Sequence, residues 1–238
     1  MTGGMTTALD PAGQLKLVIF DCDGVLVDSE GPSCRATAEF ARSKGLSISD
    51  DEAHKRFAGK ALPQIVKELE QELGHSLPDE TAFRLRENLV QMMRKSAEPV
   101  SGALEMLAGV RALGMPVRVG SNSSVREMEA KFERTGMSQY FPENRIHSAN
   151  DMGCPKPAPD VYLYAAKAEG VLPENCVVIE DSNTGAEAAW KAGMACVLLR
   201  PEDVPLPPFW PVKGSVRITH LDELVPLLRR TLESQKHA

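Results

Sequence analysis

The chain lacks paired cysteines, metal-spaced histidines, long apolar runs and any excess of positive charge, and each absence removes a class of function. Its five cysteines, Cys22, Cys34, Cys154, Cys176 and Cys196, include no C-x-x-C pair. Neither a disulfide framework nor a zinc ribbon is supported. The five histidines, His54, His75, His147, His220 and His237, are nowhere three to five residues apart, which leaves no His-based metal motif. No stretch approaches the ~18 apolar residues of a membrane span, and residues 1–14, MTGGMTTALDPAGQ, have neither a basic nor an apolar leader segment. A mobile N-terminal lead over 1–14 and a cytoplasmic location are expected. Lys plus Arg total 27 against 33 Asp plus Glu, a formal charge of -6. That balance opposes attraction to phosphate backbones and anionic lipid, so neither nucleic acid nor membrane is expected as a partner. No internal repeat is present, which excludes a solenoid.

What remains is an ordinary globular composition, 42% apolar and 25% charged over 238 residues, long enough to bury roughly 70–75% of the unfolded surface. Short apolar runs recur at Leu15 to Phe20, Pro116 to Gly120, Cys176 to Ile179 and Met194 to Leu199, with weaker ones at Arg145 to Ser148 and Val216 to Thr219. They suit strands buried on both faces of a parallel sheet. Between them lie helical patterns: one capped by Ser101 with Leu104, Leu107, Ala108 and Leu113 on its face and Gly114 after its end, a second starting at Pro157 and running toward Gly170, a third at Leu221 to Leu232 despite Pro226. The alternation predicts a doubly wound α/β core over residues 15–30 and 99–238. From Ser33 to Glu98 only helical periodicity is found, with Leu62, Ile65, Val66, Leu69 and Leu73 in one stripe and Phe83, Leu89, Met92 and Met93 in another. A connection of that length is no simple crossover. Residues 31–98 are therefore read as an inserted all-helical domain, with linkers near Gly31-Pro32 and Pro99 to Gly102. The segment PEDVPLPPFWP at 201–211 is too proline-rich for regular structure.

The chemistry gathers at strand ends. In LVIFDCDGVLVDS, Asp21 and Asp23 are two apart at the end of a buried strand, so in an extended chain both carboxylates face one side while Cys22 faces the other. Gly24 then permits a sharp turn. VVIEDS repeats the arrangement with Glu180 and Asp181. Four carboxylates at one end of a sheet repel one another unless a cation sits among them, and an all-oxygen donor set suits Mg²⁺. Ser121, after the run that ends at Gly120, offers a hydroxyl and, with Asn122, the backbone N–H groups that can hold phosphate oxygens. Lys156 stands between two prolines, presented rigidly enough to balance charge on a nucleophile and a phosphoryl group.

The order D-x-D-G-V-L-V-D-S, Ser after a strand, K-P-x-P-D and E-D-S resembles the haloacid dehalogenase superfamily over about residues 15–200. The resemblance implies a Rossmann-like core and a helical cap that closes over a small phosphorylated metabolite. It also implies that Asp21 is the nucleophile and forms an aspartyl-phosphate, that Asp23 is the general acid/base, and that Ser121, Asn122 and Lys156 bind the phosphoryl group. Asp21, the Asp23 main-chain carbonyl and Asp181 would hold Mg²⁺, with Glu180 assisting. Asp23 distinguishes the chain from the dehalogenase branch, which lacks the second acid, and the first motif is spelled differently in the phosphonatases.

Two departures favour hydrolysis over a β-phosphoglucomutase-like phosphomutase. Ser33 stands where those mutases carry a His, and Gly59-Lys60-Ala61-Leu62-Pro63 replaces their R-x-x-S-L run. KRFAGKAL at 55–62 is similar to bacterial phosphatases of the 6-phosphogluconate type, which implies a sugar or sugar-acid phosphate as substrate. Arg35, Arg56, Lys60 and Lys67 are candidate anion contacts, with Arg56 and Lys60 beside a turn expected to face the core. A receiver-like phosphoacceptor or a non-catalytic homologue is the remaining alternative. Receivers do not place two such acids on one strand or carry a long helical insert after it.

Overall fold

The computed structural model describes residues 8–57, 62–142 and 144–236. In chain order the elements are β1 (Leu17–Phe20), β2 (Val27–Asp28), α1 (Glu30–Ser43), α2 (Asp50–Phe57), α3 (Leu62–Leu73), α4 (Thr81–Ser96), β3 (Glu98–Pro99), α5 (Ala103–Ala112), β4 (Val117–Ser121), α6 (Val125–Thr135), β5 (Ile146–Ser148), α7 (Asp160–Glu169), β6 (Cys176–Glu180), α8 (Asn183–Lys191), β7 (Ala195–Leu199), β8 (Val216–Ile218) and α9 (Leu224–Lys236). Six strands form one parallel sheet in the order β5-β4-β1-β6-β7-β8. This is the expected α/β, doubly wound, Rossmann-like architecture. The chain leaves β1 toward β4 and β5 on one side and later returns to β6 on the other, so the topological switch point, where ligands of open α/β sheets bind, lies at the carboxyl end of β1.

Alternation along β1 explains why both its faces are covered. Val18, Phe20 and Cys22 join the core beneath α5, α6 and α9, while Leu17 and Ile19 join the one beneath α7 and α8. All four strand residues are fully buried, each burial contributing about 1.5–3 kcal/mol. Cys22 is a packing residue on the face opposite to Asp21, as its parity predicts.

Helices α1 to α4 lie between the two-residue strands β2 and β3, which pair antiparallel through Val27 with Pro99 and Asp28 with Glu98. They have a core of their own, with Phe40, Phe57, Ile65, Leu69 and Leu85 buried together. Phe83, expected on an apolar stripe, is instead 62% exposed, because the buried face of α4 runs through Leu85, Leu89 and Met93. Gly31 and Pro32 fall in the first turn of α1 rather than in a linker, where a missing N–H costs no helical hydrogen bond. The paired strands β2 and β3 form the stem.

Three other expectations are corrected. The part of the lead after Thr7 is not free: Leu9 is buried, the Asp10 N–H donates to the Gly214 carbonyl and the Gly13 N–H to that of Glu174. The helix assigned to a Ser101 cap starts after Gly102, whose φ of 80° places it in the left-handed region. The helix expected at Pro157 starts at Asp160, because Pro157 and Pro159 leave the preceding residues no helical path. Pro226 is accommodated near the start of α9, after a short 3₁₀ turn at Leu221–Glu223.

Candidate active site

The ends of β1, β4 and β6, adjacent in the sheet, bring Asp21, Ser121, Glu180 and Asp181 together, and the loop before α7 adds Lys156. Asp21, Lys156 and Glu180 are buried. Lys156 Nζ donates to Asp21 Oδ1 at 2.6 Å and to Glu180 Oε1 at 2.7 Å, and lies 4.8 Å from the centre of the Tyr162 ring. The Lys156 main-chain N–H donates to Asn122 Oδ1 at 2.9 Å. Asn122 thus ties the Ser121 loop to the lysine, and its side-chain oxygen is engaged there.

Glu180 is saturated with donors. Its Oε1 accepts from Lys156 and from the Tyr162 hydroxyl at 2.7 Å; its Oε2 accepts from the main chain of Asp181 and Ser182 and from Ser182 Oγ. A carboxylate has about four lone-pair sites, so Glu180 is committed to orienting Lys156. Gly185 makes room for it, since a Cβ there would sit 1.6 Å from Glu180 Oε1.

Oxygens of Asp21, Glu180 and Asp181 lie within 4.8 Å of one another. Burial and mutual repulsion push the Asp21 carboxyl up to about 7, against the opposing pull of Lys156, and the Asp181 carboxyl up to about 8. A cation among them would reverse both shifts. Hard oxygen donors without a nitrogen or sulfur partner fit Mg²⁺. Gly24, with φ of 77°, lets the β1 turn approach Asp181: a Cβ there would be 2.0 Å from Asp181 Oδ2.

Asp23 does not share these contacts. Because β1 ends at Phe20, the chain has already turned, with the Leu26 and Val27 N–H groups donating to the Cys22 carbonyl, and the expected two-residue parity no longer aims both carboxylates at one partner. Asp23 has a lysine of its own. Lys131 Nζ, fully buried on α6, donates to Asp23 Oδ1 at 2.6 Å, to Ser123 Oγ at 2.8 Å and to Glu127 Oε1 at 2.7 Å. Ser29 Oγ also donates to Oδ1, and Ser123 Oγ to Oδ2 at 2.7 Å. Ser121 Oγ stands 3.5 Å from the same Oδ2. Burial alone would raise the Asp23 carboxyl; Lys131 and the two serines outweigh it and hold the group below its ordinary value.

Sequence reasoning missed Lys131, and one signal could have revealed it. Met128, Lys131, Phe132 and Thr135 share the buried face of α6, so a charge interrupts an apolar stripe one turn after Glu127. Arg200 was missed too. Buried at the end of β7, it donates to the Asp181 carbonyl at 2.6 Å, to Asn183 Oδ1 and to the Pro205 carbonyl, anchoring the proline-rich excursion to the acidic loop.

The cap candidates fare differently. Arg56 Nη2 donates to Glu72 Oε2 at 2.6 Å and its guanidinium lies over Phe57, so it braces α2 against α3. Arg35 is half-buried and Lys67 exposed. Lys60, and the Gly59-Lys60-Ala61 part of the run compared with the mutases, lie outside the described residues.

Residues 18–199 match the family described as haloacid dehalogenase-like hydrolase. The chain belongs to that family. Relatives of this haloacid dehalogenase-like hydrolase include the 6-phosphogluconate phosphatase of Escherichia coli strain K12, 33% identical over 76% of this chain and 80% of the relative. The fructose-1-phosphate phosphatase YqaB of the same organism is 32% identical over 77% and 95%. Among solved structures, a HAD family hydrolase from Deinococcus radiodurans R1 with bound phosphate and sodium is 31% identical, with a TM-score of 0.68 over 91% of this chain and 96% of the other. Among the described residues no helix is long and apolar enough to cross a membrane.

Proposed function

We propose that the chain is a Mg²⁺-dependent phosphatase that hydrolyses a small phosphate monoester through an aspartyl-phosphate on Asp21. The observation that carries the reading is Asp21 itself: a buried carboxylate at the carboxyl end of the central strand, 2.6 Å from a buried ammonium and beside a second acid, Asp181. Asp21, Asp181 and the Asp23 main-chain carbonyl would hold the ion. When bound, the ion neutralises charge on the acids and on the phosphoryl oxygens.

Asp21 attacks phosphorus, the P–O bond to the leaving group breaks, and the departing alkoxide takes a proton from the Asp23 carboxyl, which takes that proton up from solvent as the negatively charged phosphoryl group binds beside it and offsets the pull of Lys131. Asp23, now a carboxylate, accepts a proton from water as that water attacks the phosphorus; the bond between phosphorus and Asp21 breaks and phosphate leaves. Lys156 balances charge on Asp21 and the phosphoryl group, and Ser121 with the neighbouring main-chain N–H groups binds phosphoryl oxygens. Residues 31–98 serve as a cap that closes over the substrate on the β2–β3 stem, with 15–30 and 99–238 as the catalytic core. Two relatives named for sugar and sugar-acid phosphates support a substrate of that class. Arg56, already paired with Glu72, supports the cap rather than the substrate.

Asp21→Asn keeps the shape and removes the nucleophilic charge. Phosphate release from a panel of sugar phosphates should require Mg²⁺ and fall by at least ~10³-fold in this variant. Undiminished release in the variant would remove the covalent mechanism.

A further inference from the structure

We infer that Lys131 is a positioning residue for the proton-transfer step, fixing the orientation of the Asp23 carboxylate so that Oδ2 alone is presented to the phosphoryl pocket at Ser121. This rests on the phosphatase reading above and adds to it a residue that lies outside the motif strands.

The geometry carries the inference. The terminal torsion of an aspartate is broad, and Asp23 sits in a turn immediately before a glycine in the left-handed region. Left to itself the carboxylate would sample many orientations. Lys131 and Ser29 hold Oδ1, while Oδ2 takes Ser123 and faces Ser121. One oxygen is anchored toward α6 and the other is directed at the pocket.

Lys131 is itself immobilised. Its ammonium has three protons and three acceptors, Asp23, Ser123 and Glu127, all at 2.6–2.8 Å, and its side chain is fully buried. Glu127, one helical turn earlier, sets the direction of the stem. A buried ion pair is a poor way to gain stability, since an apolar residue of similar volume often does as well. A slot on the apolar face of α6 filled by lysine rather than methionine therefore fits a task at Asp23. Lys131 makes no hydrogen bond to Asp21, Lys156 or Asp181 in the structure, so it acts on the reaction through Asp23.

The test compares two leaving groups in Lys131→Met, Asp23→Asn and the double variant. An alkyl ester such as a sugar phosphate needs its leaving oxygen protonated, whereas p-nitrophenyl phosphate needs little. Lys131→Met should lower kcat/KM for the sugar phosphate by ~10–100-fold, a fraction of what loss of a general acid costs, and that for p-nitrophenyl phosphate by less than ~3-fold. Adding Lys131→Met to Asp23→Asn should change neither substrate by more than ~2-fold. The double variant removes the Lys131–Asp23 pair together and leaves no Asp23 carboxylate without its cation, so it reports even where the single lysine variant does not fold.

Equal losses on the two substrates in Lys131→Met, or a further loss in the double variant, would overturn the positioning role while leaving the phosphatase reading intact. If Asp23→Asn shows no dependence on the leaving group, the acid assignment falls and the role of Lys131 falls with it. A wild-type protein that releases phosphate from no ester would sink the parent reading directly.

Discussion

Two buried lysines flank the Asp-x-Asp turn, and their surroundings differ in an instructive way. Lys156 reaches Asp21 from a proline-bounded loop and is steered by Glu180, which is itself held by Tyr162 and the start of α8. Lys131 reaches Asp23 from within a helix and is steered by Glu127 on that same helix. Both ammonium groups are held far on the protonated side of their ordinary value: burial opposes the charge, and the paired carboxylates outweigh it. The same device, a buried cation between a working carboxylate and a steering one, appears twice, once on each face of the β1 turn. In the proposed mechanism one copy serves the nucleophile and the other the proton carrier.

The comparison breaks most visibly at Lys156. Lys156→Met should remove ~10³-fold or more of kcat/KM on every ester regardless of leaving group, because charge at the nucleophile and phosphoryl group matters to all of them. A loss confined to alkyl esters would merge the two lysines into one role.

A subtler intervention at the same place is Gly185→Ala. The new methyl group meets the Glu180 carboxylate at 1.6 Å, so Glu180 must move and release Lys156. Activity should fall ~10–100-fold on both ester types, with a stability loss of about 1–3 kcal/mol by denaturant titration. A variant as active as the wild type would show that Glu180 does not steer the lysine.

The smallest effect comes from a third buried cation, which separates burial from function. Arg118, at the other end of β4, donates to Glu169 and to the Asn144 and Ala168 carbonyls, and its Nη1 lies 3.0 Å from His147 Nε2. Burial, with Arg118 adding to it, lowers the pKa of His147 to about 4. The unfolded chain, with an ordinary value near 6.5, binds this proton first as pH falls. Stability from neutral His147 is thus complete above about 6.5 and is lost as pH falls toward about 4. Between pH 7 and 4.5 the wild type should lose about 2 kcal/mol more than His147→Asn, with kcat at pH 7 unchanged between them. An equal pH dependence of stability would show that His147 ionises freely in the fold.

Legibility in the sequence followed the same division. Strands β1, β6 and β7 were readable because buried parallel strands are apolar on consecutive positions, as in LVIF and CVVI, whereas β4, β5 and β8 carry Arg118, His147 and Arg217 within them, and β5 and β8 gave the weaker runs. The acids and Lys156 were readable because they follow such runs or stand between prolines. The β2–β3 stem was not readable, since two residues per strand carry no periodicity. Lys131 was hidden for a different reason. In a helix of alternating charges, VREMEAKFERT, its burial depends on which face α6 turns to the sheet, and only the packing of Met128 and Phe132 decides that. Arg200 depends on tertiary packing in the same way: two of its three acceptors are main-chain carbonyls, which no side-chain pattern announces.

The position of β1 in the sheet has a consequence for how the chain comes off the ribosome. Its partners are remote: Val18 pairs with Val117 and with Val177, about 100 and 160 residues later. Translation at about 5–20 residues per second leaves the LVIF segment without its neighbours for roughly 5–20 s before the first arrives. Helices α1 to α4 are made in that interval, and their mostly local contacts can form while β1 waits. The segment that carries the proposed nucleophile is thus made early and enclosed late.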